Sequence, residues 1–144
     1  MDYRNTGKNI LIRLDKGDKI MENILQICQK ENVKSAQFYG IGACTTATVS
    51  TFIPENNDFI DHTASGMLEL ISMMGNVSSE DDGSLFVHCH TVFSYLDQEG
   101  KPAVLAGHLK EAEIFYTGEI ILIPSDYVVH RMEDPATGVS VWKF

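Results

Sequence analysis

Apolar and polar residues alternate along most of this chain with a period near two, the signature of half-buried strands, and only one stretch switches to the spacing of a helix. Asn9 to Leu14 reads as a short strand. Asp15-Lys16-Gly17-Asp18 then offers a turn and an N-cap, after which Ile20, Met21, Ile24, Leu25 and Cys28 mark the buried stripe of a helix ending near Asn32. Lys34 to Phe38 is the next strand and leads into Gly40-Ile41-Gly42, whose glycines suit a sharp bend. Cys44 to Ile53 is β-branched strand material, Pro54 to Thr63 is a polar loop or irregular strand pair, and Gly66 to Met74 is a strand closed by Gly75-Asn76. Leu85 to Leu96 and Ala103 to Leu109 form a hairpin about the polar turn Asp97 to Lys101. Ala112 to Ile123 follows, then a turn over Pro124 to Tyr127 and two short strands, Val128 to Met132 and Val139 to Trp142. One helix among many strands predicts an α+β fold, a mainly antiparallel sheet curled around one principal helix.

That hairpin brings candidate chemistry together. His88 and His90 are two apart on a strand, so both project on one face while Cys89 points away. A five-residue turn pairs Leu96 with Pro102 and sets His90 directly opposite His108, with Cβ atoms about 4.5–5.5 Å apart. A four-residue turn would send His108 to the other face. Three imidazoles and one open position are what a zinc-type site requires, and other divalent transition metals also accept imidazole. A single strand histidine is an ordinary, partly exposed residue. His-x-His with a third histidine in the partner strand points to metal. His62, in the polar segment Asp61-His62-Thr63, and His130, before Arg131, read as surface residues.

Two weaker motifs fail on context. Gly40-Ile41-Gly42 lacks the third glycine and the following helix of a dinucleotide fingerprint. Glu80, Asp81 and Asp82 lack the alternating ligands and closing glutamate of a calcium loop, so Ser78 to Gly83 reads as a solvated turn.

Composition narrows the function classes. The chain has 144 residues, the size of one domain, and 44% apolar content supplies a sizeable core. Eleven basic against 20 acidic residues give a net charge of −9, and no run of Lys or Arg exists, which disfavours direct DNA binding. Neither a signal peptide nor a membrane-spanning apolar stretch is evident, so a cytoplasmic protein is expected. Cys28, Cys44 and Cys89 lie in apolar segments without CxxC spacing and read as reduced structural thiols.

With these features in order, the chain resembles the plants and prokaryotes conserved (PPC) domain, formerly a domain of unknown function, in its stand-alone prokaryotic form. The resemblance covers about Lys8 to Phe144. It is carried by IRLDKGDKI, YGIGACTTATV, LELISMMGNVS, DGSLFVHCH and AGHL in that order and spacing. The resemblance implies a homotrimer and, in many bacterial and archaeal members, a zinc-type site whose ligands match His88, His90 and His108. Relatives often bear a DNA-binding label, inherited from plant members that fuse the domain to AT-hooks. This chain has no Arg-Gly-Arg-Pro element. The fold also resembles acetolactate decarboxylase, which supports metal chemistry as a class without transferring a substrate.

Two functions stay open at this stage. One is a metal site acting on a small anionic or carbonyl-containing metabolite, with Glu69 and Glu119, placed within apolar strands, as candidate catalytic groups paired or poised near the metal. In the bland alternative those glutamates face solvent on one side of the sheet. The other function is a non-catalytic trimeric scaffold that contacts other proteins.

Overall fold

The computed structural model describes residues 1–144. In chain order the elements are β1 (Asp2–Asn5), β2 (Ile10–Asp15), α1 (Ile20–Lys30), β3 (Ala36–Ile53), β4 (Asp58–Ser79), β5 (Leu85–Leu96), β6 (Pro102–Pro124), β7 (His130–Glu133) and β8 (Ser140–Lys143). On β2 the alternation is plain: Ile10, Ile12 and Leu14 are buried while Leu11 and Arg13 face out. The helix buries Ile20, Ile24, Ile27 and Cys28, one stripe at helical spacing. It ends at Glu31, and Asn32 takes the left-handed conformation (φ 54°) that releases the chain toward β3.

The helix start departs from the expected local cap. Lys19 occupies the cap position without a side-chain bond, and Asp18 instead accepts hydrogen bonds from the Asp15 backbone N–H (2.8 Å) and pairs with the N-terminal ammonium (2.8 Å). The orphan donors of the first turn are met from β6: the Glu111 carboxylate accepts from the N–H groups of Met21 (2.9 Å) and Glu22 (3.3 Å).

Three expected strand ends are continuous strand. β3 runs 18 residues straight through Gly40 and Gly42, with irregular register against β4 between those glycines rather than a break. β4 passes through Gly75-Asn76, and β6 is a single 23-residue strand where two were expected. The glycines serve close approach. A Cβ at Gly42 would lie 2.5 Å from the Thr117 carbonyl oxygen, and one at Gly75 would lie 2.2 Å from the His88 carbonyl oxygen.

Strand order is β1-β2-β6-β3-β4-β7-β8, with β5 bridging β4 and β6. Strands β3, β4, β5 and β6 therefore close on one another through antiparallel ladders, and β4 meets β7 in one parallel bridge, Ser79 to His130. The α+β description holds in coarse form, since the sheet dominates and one short helix packs against it. Phe38, Phe93, Leu14, Leu109, Ile114 and Leu122 belong to one cluster of 24 buried apolar residues shared by helix and sheet. Cys28, Cys44 and Cys89 are buried in it as free thiols, and burial pushes them up to about 12, which keeps them protonated and inert. The acidic turn after β4 is closed locally, Asp82 accepting from the Ser84 N–H (2.9 Å). No helix is long and apolar enough to cross a membrane.

Candidate metal centre

The Asp97–Lys101 turn fixes the register of the site. The Asp97 carboxylate accepts from the N–H groups of Glu99 and Lys101 (both 2.9 Å), and Gly100 supplies the positive φ of 76°. Leu96 then pairs with Pro102, and six rungs further on His90 pairs with His108. Cys89 is fully buried, so His88 and His90 on either side of it point outward. Ring centroids are separated by 5.2 Å (His88 to His90), 5.0 Å (His88 to His108) and 5.5 Å (His90 to His108). One nitrogen from each ring lies within 4.8 Å of the others. Ligand nitrogens about 2.0–2.1 Å from a tetrahedral ion are about 3.4 Å apart, so small side-chain rotations convert this triangle into a ligand set.

The electrostatics suit ligation. Burial pushes His88 down to about 4, helped by the neighbouring His108 and His90 and by Arg131. Burial also lowers His108, with His90 and Lys110 adding to the effect. Both imidazoles are thus neutral at pH 7, with a lone pair to give. The rings are wedged by aromatic neighbours: Phe86 is 6.2 Å from His88, and Phe59 is 5.9 Å from His108. Arg131, only 4% exposed, stacks 4.3 Å over Phe86 and donates to the Ser140 hydroxyl (2.9 Å), the Ser140 carbonyl (2.7 Å) and the Ser78 hydroxyl (3.3 Å). No carboxylate forms an ion pair with it.

Beside His88 and His90 lies a cleft of about 510 Å³, lined by Gln37, Phe38, Tyr39, Met74, Gly75 and Asn76. A larger groove of about 600 Å³ continues along the outer sheet face past Tyr39, over Leu11, Ile41 and Ile121, with Asp2, Arg4, Arg13 and Glu119 around it. That groove holds no histidine.

The candidate acids are elsewhere. Glu69 is exposed opposite Ala43 and Ser94, and Glu119 is exposed opposite Arg13 and Ile41. Neither joins the histidine cluster. His62 is exposed opposite Val49, and His130 is exposed opposite Lys143. Sequence reasoning passed over Asp61, which sits in one rung with Ser50 and His108 and accepts from Ser50 (2.7 Å) and Lys110 (2.7 Å). It also passed over Asn76, the partner of His88 across the β4–β5 ladder, whose Oδ1 is buried without a hydrogen-bond partner. The signal for Asn76 was present: it shares a face with Met74 once β4 is drawn through Gly75.

No curated protein matches the chain. Among solved structures, a protein of Bacteroides thetaiotaomicron with a provisional DNA-binding label is 23% identical, with a TM-score of 0.90 over 99% of this chain and 96% of that one. A plant- and prokaryote-conserved protein of Pyrococcus horikoshii is 28% identical, with a TM-score of 0.81 over 99% and 94%. A protein of Archaeoglobus fulgidus described as metal-containing is also 28% identical, with a TM-score of 0.82 over 100% and 99%. The likeness to acetolactate decarboxylase of Bacillus subtilis is one of fold, at 10% identity and a TM-score of 0.57 over 88% of this chain and 57% of the enzyme. Residues 1–126 match the family model of the Plants and Prokaryotes Conserved (PCC) domain, and the chain belongs to that family.

Proposed function

We propose that this PCC-domain protein is a cytoplasmic homotrimer that binds one divalent transition metal, zinc first among them, through His88, His90 and His108. The observation that carries the reading is the convergence of three imidazoles within 4.8 Å, two of them held neutral by burial and neighbouring charge. The metal-containing character of the 28% identical A. fulgidus protein supports it. A bound ion with one position free would polarise a ligand or lower the pKa of its water toward 7.

The ligand class follows from charge. A dication on three neutral rings keeps its full charge, and the buried Arg131, which has Glu80 as its nearby counter-charge but no direct ion pair, adds to it. A small anion, such as a carboxylate, is the ligand that fits such a centre. Gln37, Tyr39 and Asn76 in the adjoining cleft offer it hydrogen-bonding groups.

Trimer formation is supported by the outer sheet face, where Leu11, Tyr39, Ile41, Ile71 and Met74 are 46–64% exposed as a broad apolar surface. Monomeric proteins rarely leave such patches uncovered. The same surface favours a second reading, a trimeric scaffold that contacts other proteins and whose histidines bind nothing. Metal analysis of untagged protein, paired with light scattering, separates the two. The first reading expects about one ion per chain in a particle of three 16.0 kDa chains, and the scaffold expects the same particle without metal. A monomer at micromolar concentration contradicts both.

A further inference from the structure

We propose that Asn76 is the residue that orients His88 for metal binding, its side-chain carbonyl accepting the hydrogen on the ring nitrogen that the ion leaves free. The inference rests on the three-histidine reading above and assigns to it a supporting group outside the ligand set. Asn76 on β4 and His88 on β5 are Cα partners, so their side chains leave the sheet on the same face about 5 Å apart at Cβ. Asn76 also lines the cleft that contains His88 and His90. Its Oδ1 is buried with no donor to satisfy it.

A buried acceptor without a donor is costly and calls for an explanation. Thr91 carries the other orphan oxygen, but it points inward beside Cys89 and Phe93, away from the histidines. Donors near Asn76 are few. Gln37, its partner on β3, is exposed and has solvent for its amide. Arg131 is engaged with Ser140 and Ser78. His88 remains, and a neutral imidazole that gives one nitrogen to an ion carries its single N–H on the other. Ligating histidines almost always donate that N–H to an acceptor, which fixes ring and tautomer.

The other two ligands have less need of such a partner. His90 is exposed, so water meets its free nitrogen, and His108 shares its rung with the Ser50–Asp61 pair. His88 is half-buried beside the Arg131 cation. The Asn76 side-chain carbonyl offers that position an acceptor.

The test compares wild type, Asn76→Leu and Asn76→Asp. Zn²⁺ affinity is measured by competition with a chromophoric chelator, and the His88 tautomer of the zinc-loaded protein by long-range ¹⁵N–¹H NMR. Loss of a supporting acceptor weakens metal binding by roughly 10–100-fold. The Leu variant should show that loss and a mixed His88 tautomer while its metal-free melting temperature stays at or above wild type. Asn76→Asp, which keeps an acceptor oxygen, should bind at least as tightly as wild type. A Leu variant with wild-type affinity and a single unchanged tautomer would overturn the proposal, as would an Asp variant as weak as Leu. Should the Leu variant fail to fold, wild-type spectra with the free His88 nitrogen exchanging as if in open water overturn it equally. Wild type that takes up no zinc removes the three-histidine reading itself, an outcome distinct from these.

Discussion

His90 on β5 and His108 on β6 face one another across a single rung, their rings 5.5 Å apart, and His88 completes the triangle from 5.0 Å. The rung exists because the hairpin turn has five residues. One residue fewer or more moves His108 to the opposite face.

Removing one corner should therefore empty the site. His90→Ala leaves two imidazoles, and Zn²⁺ affinity should fall by more than the roughly 10–100-fold that loss of an outer supporting group costs. His62→Ala, at an exposed position opposite Val49, should leave affinity unchanged. Dialysis against a mild chelator followed by metal analysis checks both. Full metal content in the His90 variant would contradict the ligand assignment.

The direction of the histidine shifts sets the pH response. His88 falls from an ordinary 6.5 to about 4 on folding, so between those values the metal-free folded chain binds fewer protons than the unfolded one. This contribution to stability is fully present above pH 6.5 and is lost as pH drops through the window toward 4. His108 is shifted the same way and adds to the effect. Thermal melts of metal-free protein should show a decline between pH 6.5 and 4 that His88→Gln reduces. Metal occupancy should hold at pH 6 and fall near pH 5 to 4, because protons compete for rings that resist protonation. Complete release by pH 6 would count against the buried, neutral state of these rings.

The strand pattern reveals the three-histidine cluster and conceals its surroundings, for identifiable reasons. β5 reads correctly because Cys89, Thr91 and Phe93 alternate cleanly with His88, His90 and Val92, and Asp97 and Gly100 mark its turn. The long strands do not, because Gly40, Gly42 and Gly75 are punctuation in a local reading but close-approach positions in the sheet. The helix cap was hidden for a different reason: Glu111 lies 90 residues from Met21 in sequence. Glu69 and Glu119 face solvent, the second of the two readings their strands allowed, because their apolar neighbours, Ile41, Met67 and Ile71 among them, are themselves exposed on the outer face. An apolar strand there did not mean a buried carboxylate.

The DNA-binding label of some structural relatives should not extend to tight duplex binding by this chain. Its net charge is −9, and several of its 11 cations are committed: Arg13 pairs with Asp15, Lys101 with Glu99, Lys110 with Asp61. Arg131 is buried. The remaining cations form no run and are outnumbered by the acidic residues, so affinity for random duplex at physiological salt should be weaker than the roughly 10⁻⁴–10⁻⁶ M of non-specific binders. An anisotropy titration showing micromolar or tighter binding with a steep salt dependence would contradict this.

Gly75 links the fold to the site, because its missing side chain lets β4 and β5 pass beside Phe38 at the rung next to His88. A Cβ there would sit 2.2 Å from the His88 carbonyl oxygen and 2.4 Å from the Phe38 ring, and neither is the yielding end of a flexible chain. Gly75→Ala must push the strands apart, costing about 3 kcal/mol or more, with the histidine pair displaced along with β5. Gly83→Ala is the control. That position has φ +84° and open space, so its cost is the left-handed backbone alone, about 1–2 kcal/mol, with no effect on metal affinity. Urea unfolding and chelator competition on the two variants separate these effects. If Gly75→Ala were no more costly than Gly83→Ala and held zinc as tightly, the close packing of β4 on β5 would not be what positions His88.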